Sequence, residues 1–336
     1  MIIIVIKEPN LENPCAEQIS RDYPDCSVFN YKQYTDQELL DAAEGQMLIV
    51  LNHKMAIPHA KLLRLAASDR QVRIMVVLEE GFAMHAVNAR IAGADYCLAA
   101  PYEPAHLLRA VEEQCTILRR LSEAQELVNS QASINRKYTL GAVLGAGRHS
   151  VMFLGNVVKT SDTVVIKLFR KSLASSQEFI AELKSKVELL QEVTVPSMVK
   201  ILDFGNWNGY AYLILNIGKG ENLYQVLGKR KLDEHEIAKI ALALTRALIA
   251  IKKCGILHFN IKPENIIYYQ NNFYLSEFGS LLPLPKADST GFQYWPDSAF
   301  TCPETFIDGA LFTARSDVYS LGLIVYLMLP VSKNQK

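Results

Sequence analysis

Three short runs of aliphatic residues constrain the fold of the N-terminal part of the chain more than any other feature. Residues 2–6, 47–51 and 74–78 are apolar without interruption. Strands without alternating polar residues are typical of parallel sheets that helices cover on both faces. Helical spacing appears between the runs, and a shorter strand at 96–99 precedes a closing helix at 103–111. This alternation predicts an α/β domain with a doubly wound parallel sheet of about five strands.

The order of these segments resembles that of the bacterial response-regulator receiver domain, which has a flavodoxin-like fold. The resemblance covers essentially all of residues 1–110, through the segments IIIVIKEPN, LIVLNHKM, RIMVVL and GADYCLAAPYEP. It implies a five-stranded receiver-like domain over residues 1–112.

The residues that carry phosphorylation chemistry in receivers are replaced in this chain. Ile6 and Lys7 stand where two acidic residues hold Mg²⁺, and Asn52 stands at the phosphoacceptor aspartate. Leu78 and Ala100 replace the switch hydroxyl residue and the lysine. Magnesium requires hard oxygen ligands, and an amide cannot form an acyl phosphate. We therefore predict a pseudo-receiver that keeps its fold for protein contacts.

A helical linker is predicted over residues 113–137. No glycine or proline interrupts residues 107–128, and a heptad-like apolar series there includes two glutamines, at Gln114 and Gln125. Two alternatives follow: a helix that packs on its own chain, or a coiled coil that forms a homodimer. The polar, turn-prone residues 129–136 mark the boundary.

The C-terminal part opens with the glycine-rich segment YTLGAVLGAGRHSVMFLG, and VVIKLF follows after a short turn. A glycine-rich hairpin followed by a strand lysine resembles the start of a protein kinase domain. The resemblance implies that Gly145 and Gly147 approach nucleotide phosphates, that Val151 and Val165 line the base, and that Lys167 contacts phosphate.

Further kinase-like segments follow in the order of the family. They are PSMVKILDFG, YLILNI, HFNIKPEN, EFG, CPE and SDVYSLG. We identify residues 138–336 as an α+β bilobal protein-kinase-like domain, with an N-lobe at 138–216 and a short C-lobe at 217–336. The resemblance implies ATP, with or without Mg²⁺, as the cofactor, bound in part by Lys262, Asn265 and Glu277. Asn265 and Glu277 would be the metal ligands.

The catalytic positions depart from the family pattern. Asn260 occupies the catalytic-base position, and an amide cannot accept a proton; Glu277 replaces the metal-binding aspartate. The position expected for the glutamate partner of Lys167 holds Lys186. Glu182, one turn earlier, is the favoured partner, with Glu277 or no partner as the alternative.

The activation segment and the end of the C-lobe are also unusual. Ser289 and Thr290 are candidate phosphosites, but Phe259 replaces the arginine that would bind a phosphate there. The C-lobe is shorter than in the family, so we expect Glu304 to lack its usual arginine partner.

Composition limits the function classes. The 35 lysines and arginines balance the 35 aspartates and glutamates, which argues against nucleic acid as the main partner. The longest apolar run, residues 321–329, is too short to span a bilayer, so no membrane insertion is expected. Six scattered cysteines without metal-type spacing fit a cytoplasmic protein.

These observations favour a non-catalytic signalling scaffold or allosteric regulator, a pseudokinase that acts on protein partners. It would bind ATP without phosphotransfer or bind no nucleotide. The alternative is an atypical serine/threonine protein kinase of low activity, because loss of a general base typically costs about 10²–10⁴ in rate and not all activity.

Overall fold

The computed structural model describes residues 1–9, 12–41, 46–67, 71–78, 83–99, 102–277, 300–306 and 313–329. They divide into two compact units. One comprises Met1–Glu126 and Gly145–Arg148, and the other comprises Leu127–Leu144 and His149–Lys336. Within the described ranges, no helix has the length and apolar character needed to cross a membrane. Ala100, Ser289 and Thr290 lie outside the described residues.

The first unit contains a five-stranded parallel sheet, as predicted. Its strands in chain order are β1 Ile2–Lys7, β2 Ser27–Asn30, β3 Met47–Asn52, β4 Val72–Leu78 and β5 Tyr96–Ala99. They are arranged in the order β2-β1-β3-β4-β5. Its helices are α1 Pro14–Asp22, α2 Asp36–Asp41, α3 Ala56–Ala66, α4 Ala83–Ile91 and α5 Pro104–Asn129.

The two faces of this sheet bury separate hydrophobic cores. Ile4 and Ile49 belong to the core on one face, and Val5 and Val50 belong to the core on the other. Successive side chains of a strand point to opposite faces. Both faces are therefore apolar along the central strands, which explains the uninterrupted aliphatic runs.

The second unit begins with a six-stranded sheet. Its strands are β6 Ser133–Ile134, β7 Tyr138–Ala146, β8 Ser150–Val157, β9 Thr163–Phe169, β10 Ile201–Trp207 and β11 Tyr210–Leu215, in the order β10-β11-β9-β8-β7-β6. Between β9 and β10 lie α6 Lys171–Ala174 and α7 Gln177–Glu192. The side chain of Ser176 caps α7 by accepting from Phe179 N.

The rest of the described part of the second unit is mainly helical. It contains α8 Leu223–Lys229, α9 Glu234–Lys253 and α10 Ala314–Met328, with short 3₁₀ helices at Pro263–Asn265 and Pro303–Phe306. A small three-stranded sheet is formed by β12 Glu221–Asn222, β13 Ile266–Tyr269 and β14 Asn272–Leu275. Reciprocal hydrogen bonds between Asp233 and Glu236 cap the start of α9.

Candidate functional site

Lys167 lies on β9, an interior strand of the six-stranded sheet, and its side chain is only 6 % exposed. A buried ammonium group needs a hydrogen-bonded counter-charge. Its partner is Glu277, whose Oε2 atom lies 2.5 Å from Lys167 Nζ. The structure thus joins two residues that are 110 positions apart and that the sequence assigned to nucleotide and metal binding.

Glu182 is not the partner of Lys167 in this structure. Its Oε1 atom lies 2.5 Å from Lys186 Nζ, one helical turn further along α7. A lysine four residues after a glutamate is within easy reach on the same helix face. The preference for Glu182 is therefore corrected in favour of Glu277, which was the alternative.

The loop after α9 connects to Glu277 through two asparagines. Asn265 Nδ2 donates to the backbone oxygen of Asn260 at 2.6 Å, and Asn260 Nδ2 donates to the backbone oxygen of Glu277 at 3.3 Å. The backbone of Glu277 has a φ of 60°, in the left-handed region that few non-glycine residues adopt. Asn260, Asn265, Lys167 and Glu277 therefore form one hydrogen-bonded chain.

His258 is a buried, neutral member of the same loop. Its Nδ1 accepts from Asn260 N at 3.2 Å, so the proton of the neutral ring is on Nε2, which lies 3.1 Å from Ser276 O. Burial lowers the pKa of His258 to about 3. The ring thus holds the backbone on both sides of the site without carrying charge.

Asp317 of α10 holds the backbone of this loop through hydrogen bonds. Its two carboxylate oxygens accept from the backbone N–H groups of His258 at 2.8 Å and Phe259 at 2.9 Å. Phe259 has a φ of 59°, so these hydrogen bonds hold a backbone conformation that is unfavourable for a bulky residue. Burial raises the pKa of Asp317, and the two backbone donors oppose that rise.

The glycines of the hairpin differ in what their neighbours demand. A Cβ on Gly141 or Gly155 would lie within 2.8 Å of a backbone oxygen, so packing requires glycine there. A Cβ on Gly145 or Gly147 would meet no described atom within 4 Å. Packing with described atoms therefore does not require glycine at these two positions, which fits a loop that a phosphate group approaches closely.

The strand register corrects one predicted base contact. Residues directly opposite each other in an antiparallel pair share a face of the sheet. Met152 lies opposite Lys167, whereas Val151 lies opposite Leu168. Val165 is two residues before Lys167 on the same strand, so both side chains point to the same face of the sheet. Val151 points to the other face. Met152 therefore shares the lysine face where Val151 was expected, and the spacing of the glycine-rich motif, counted from Gly145, also ends on residue 152.

The site offers hard oxygen donors that suit a divalent cation. Asn265 donates through its Nδ2, which leaves its Oδ1 as an acceptor, and Glu277 contributes a carboxylate. Lys262 lies in the same loop and is half-buried. No group of three or more histidine, cysteine, aspartate and glutamate side chains suited to a metal occurs among the described residues. The residues fit ATP with a cation that the nucleotide would help to hold.

Asn52 in the first unit is locked at the end of β3. Its Oδ1 accepts from Asn13 Nδ2 at 2.6 Å, and its Nδ2 donates to Val77 O at 3.0 Å. Both ends of the amide are engaged, and the residue is buried. The position is therefore built as a structural link between β3, β4 and the start of α1.

His53 and His59 form a hydrogen-bonded pair, close to Asn52 in the chain, that was not predicted from the sequence. His59 Nε2 lies 2.6 Å from Asp36 Oδ1, and His53 Nε2 lies 2.9 Å from His59 Nδ1. The carboxylate can only accept, so each neutral ring carries its proton on Nε2. The Nδ1 atom of His53 is then an acceptor, and it has no partner among the described atoms. The ring of Tyr31 stacks on His53 at 4.0 Å. The histidines' i, i+6 spacing was the available signal, too weak without the fold.

Residues 138–334 match the family model for the protein kinase domain. CBL-interacting serine/threonine-protein kinase 12 of Arabidopsis thaliana is 26 % identical over 216 residues, which are 63 % of this chain and 44 % of that protein. Serine/threonine-protein kinase pkn2 of Myxococcus xanthus is 30 % identical over 194 residues, 55 % of this chain and 23 % of that protein.

Among solved structures, the PknI kinase domain of Mycobacterium tuberculosis is 20 % identical with a TM-score of 0.47, covering 62 % of this chain and 80 % of that one. The chain spans less than half the length of these two curated relatives. The family model nevertheless covers more than half of the chain, from the glycine-rich hairpin to α10. The chain therefore belongs to the protein kinase domain family.

Proposed function

We propose that this chain is an ATP-dependent serine/threonine protein kinase of low activity. The observation that carries the proposal is the chain of contacts that joins Lys167, Glu277, Asn260 and Asn265 in one site. The two relatives described above are named as serine/threonine-protein kinases, which supports the substrate class.

Each residue has a role that follows from its chemistry. Lys167 supplies a cation to the nucleotide phosphates, and Glu277 and Asn265 supply oxygen ligands for a divalent cation. When bound, that cation neutralises charge on the phosphate oxygens. A Cβ at Gly145 or Gly147 would meet no described atom, which suits a loop whose backbone N–H groups bind phosphate.

Asn260 makes the reaction slow. A serine or threonine hydroxyl oxygen bonds to the γ-phosphorus while the bond from that phosphorus to the β-phosphate oxygen breaks. An amide can orient the hydroxyl but cannot take its proton, which then passes to solvent or to a phosphoryl oxygen. Loss of a general base lowers the rate by about 10²–10⁴.

A second candidate is a signalling scaffold that binds ATP without transferring phosphate. It is favoured by the same Asn260 and by Asn52, whose side-chain oxygen and NH₂ group are both engaged in internal hydrogen bonds. In this proposal the first unit is a receiver-like module without phosphorylation chemistry. Protein partners, a homodimer through α5 and a cytoplasmic location are further parts of this proposal.

Transfer of the γ-phosphate to a protein substrate, measured with Mg²⁺ and with Mn²⁺, tests the main proposal. Lys167→Met should abolish turnover, and Lys159→Met, at an exposed position, should not. ATP at a hundredfold excess over Kd should stabilise the second unit by about 2.7 kcal/mol. Stabilisation without turnover would favour the scaffold, and the absence of both would reject ATP use altogether.

A further inference from the structure

The catalytic-base position makes a contact that an aspartate could not make. Asn260 Nδ2 donates to the backbone oxygen of Glu277, and a carboxylate at the same place has only acceptor oxygens. The side chain of residue 260 is therefore used as a donor towards the metal-ligand residue.

Glu277 needs such support. Its φ of 60° is a left-handed conformation that persists in a non-glycine residue only when the surroundings hold it. The described contacts that hold it are Asn260, at the backbone oxygen, and Lys167, at the carboxylate. Asn265 in turn fixes the backbone of Asn260 at 2.6 Å.

We propose that Asn260 is a positioning residue, which holds Glu277 so that its carboxylate stays against Lys167. This inference rests on the proposed function for its catalytic meaning, but the positioning itself requires no nucleotide. The two departures from the kinase pattern, Asn260 and Glu277, are then in direct contact, because the amide at one position donates to the backbone oxygen at the other.

A consequence is that Asn260→Asp does not repair the enzyme. The variant regains a proton acceptor, but it loses the donor to Glu277 and places a carboxylate oxygen against a carbonyl oxygen. Restoring a general base in an otherwise sound site would raise turnover about 10²–10⁴-fold. We expect instead a change of less than about tenfold, because the gained base is offset by a displaced Glu277.

The direct test is the accessibility of Lys167 to a small amine-reactive acetylating reagent, measured on the full chain without nucleotide by peptide mass spectrometry. The ammonium group held by Glu277 should react slowly relative to the exposed Lys239. Asn260→Ala should speed labelling of Lys167 about three- to tenfold, the size expected for loss of one hydrogen bond. Asn260→Asp, which has nearly the same shape as asparagine, should speed it at least as much.

Asn272→Ala is the matched control. The Nδ2 of Asn272 also donates to a backbone oxygen, that of Gln270 at 3.1 Å, but at the exposed start of β14. This variant should leave labelling of Lys167 unchanged. If Asn260→Asp fails to fold by circular dichroism, Asn260→Ala still decides the question.

Unchanged labelling of Lys167 in folded Asn260→Ala would overturn the positioning role, as would a hundredfold rise in turnover in Asn260→Asp. The proposed function has a separate test: if it is wrong, ATP does not slow the labelling of Lys167 in the unmodified chain. Faster labelling in the Asn260 variants, together with no protection by ATP, would support the positioning role and reject the kinase proposal.

Discussion

Lys167 of β9 and Glu277, which follows β14, form a largely buried ion pair with a 2.5 Å contact between Nζ and Oε2. The carboxylate at the metal-ligand position therefore neutralises the charge of Lys167. Glu182 of α7 pairs with Lys186 instead. Loss of either partner leaves the other charge in a poorly hydrated place.

Glu277→Gln should destabilise the second unit by about 3 kcal/mol, because it leaves the Lys167 ammonium buried without a counter-charge. The double variant Lys167→Met/Glu277→Gln should recover part of that loss, since no charge is then buried. Denaturant unfolding of the full chain, followed in the peptides of β9 by hydrogen exchange, measures both. Equal destabilisation in the single and double variants would contradict the expected coupling.

Glu182→Gln should have little effect. Glu182 is exposed and its partner Lys186 lies one turn away on the same face of α7, and such an i, i+4 pair contributes about 0.5 kcal/mol or less. The Kd for ATP, read by thermal shift, should stay within about twofold of the unmodified chain, because Lys167 is held by Glu277. A tenfold weaker Kd in Glu182→Gln would instead place this glutamate in the working site.

Asp317→Asn should loosen the loop that carries Asn260. One of two backbone donors would then face an amide N–H group, which costs about 2 kcal/mol. The left-handed backbone of Phe259 would lose support at the same time. Unfolding of the second unit measures the change, and Asp162→Asn on the exposed β8–β9 turn should cost less than about 0.5 kcal/mol. Similar losses in the two variants would refute the anchoring role.

The first unit should lose stability in mild acid through His53. Burial, and secondarily the neighbouring His59, lowers the pKa of His53 from the usual 6.5 to about 4. The unfolded chain therefore binds a proton at a higher pH than the folded one. The stabilisation is complete above pH 6.5 and is lost as the pH falls towards 4. Between pH 7 and pH 5 the loss should be about 2 kcal/mol.

His53→Gln should reduce that pH dependence, since an amide donates to His59 without titrating. His235→Gln, on an exposed position of the second unit, should leave it intact. Urea unfolding at pH 5, 6 and 7, read from peptides of β3 and α3, gives the slope for the first unit. An unaltered slope in His53→Gln would show that other groups carry the acid sensitivity.

Periodicity was sufficient for the five-stranded sheet because burial on both faces leaves a direct mark, an uninterrupted aliphatic run such as residues 47–51. Ordered short motifs were sufficient for the kinase-like unit, since each requires particular residue types at one place. The pairing of Lys167 was not settled in the same way. Glu182 and Glu277 both carried the right charge, and only the positions of α7 and the segment after β14 distinguished them.

The sequence by itself determined the two kinds of fold, the candidate nucleotide residues and the absence of an acid at positions 52 and 260, because these depend on residue identity and local spacing. The tertiary structure alone decided three things: that Asn260 donates to Glu277, that Lys167 pairs with Glu277 and not with Glu182, and that His53 and His59 bond to each other. Each depends on strand register or on contacts between distant segments, where a shift of one residue or a few ångströms changes the partner.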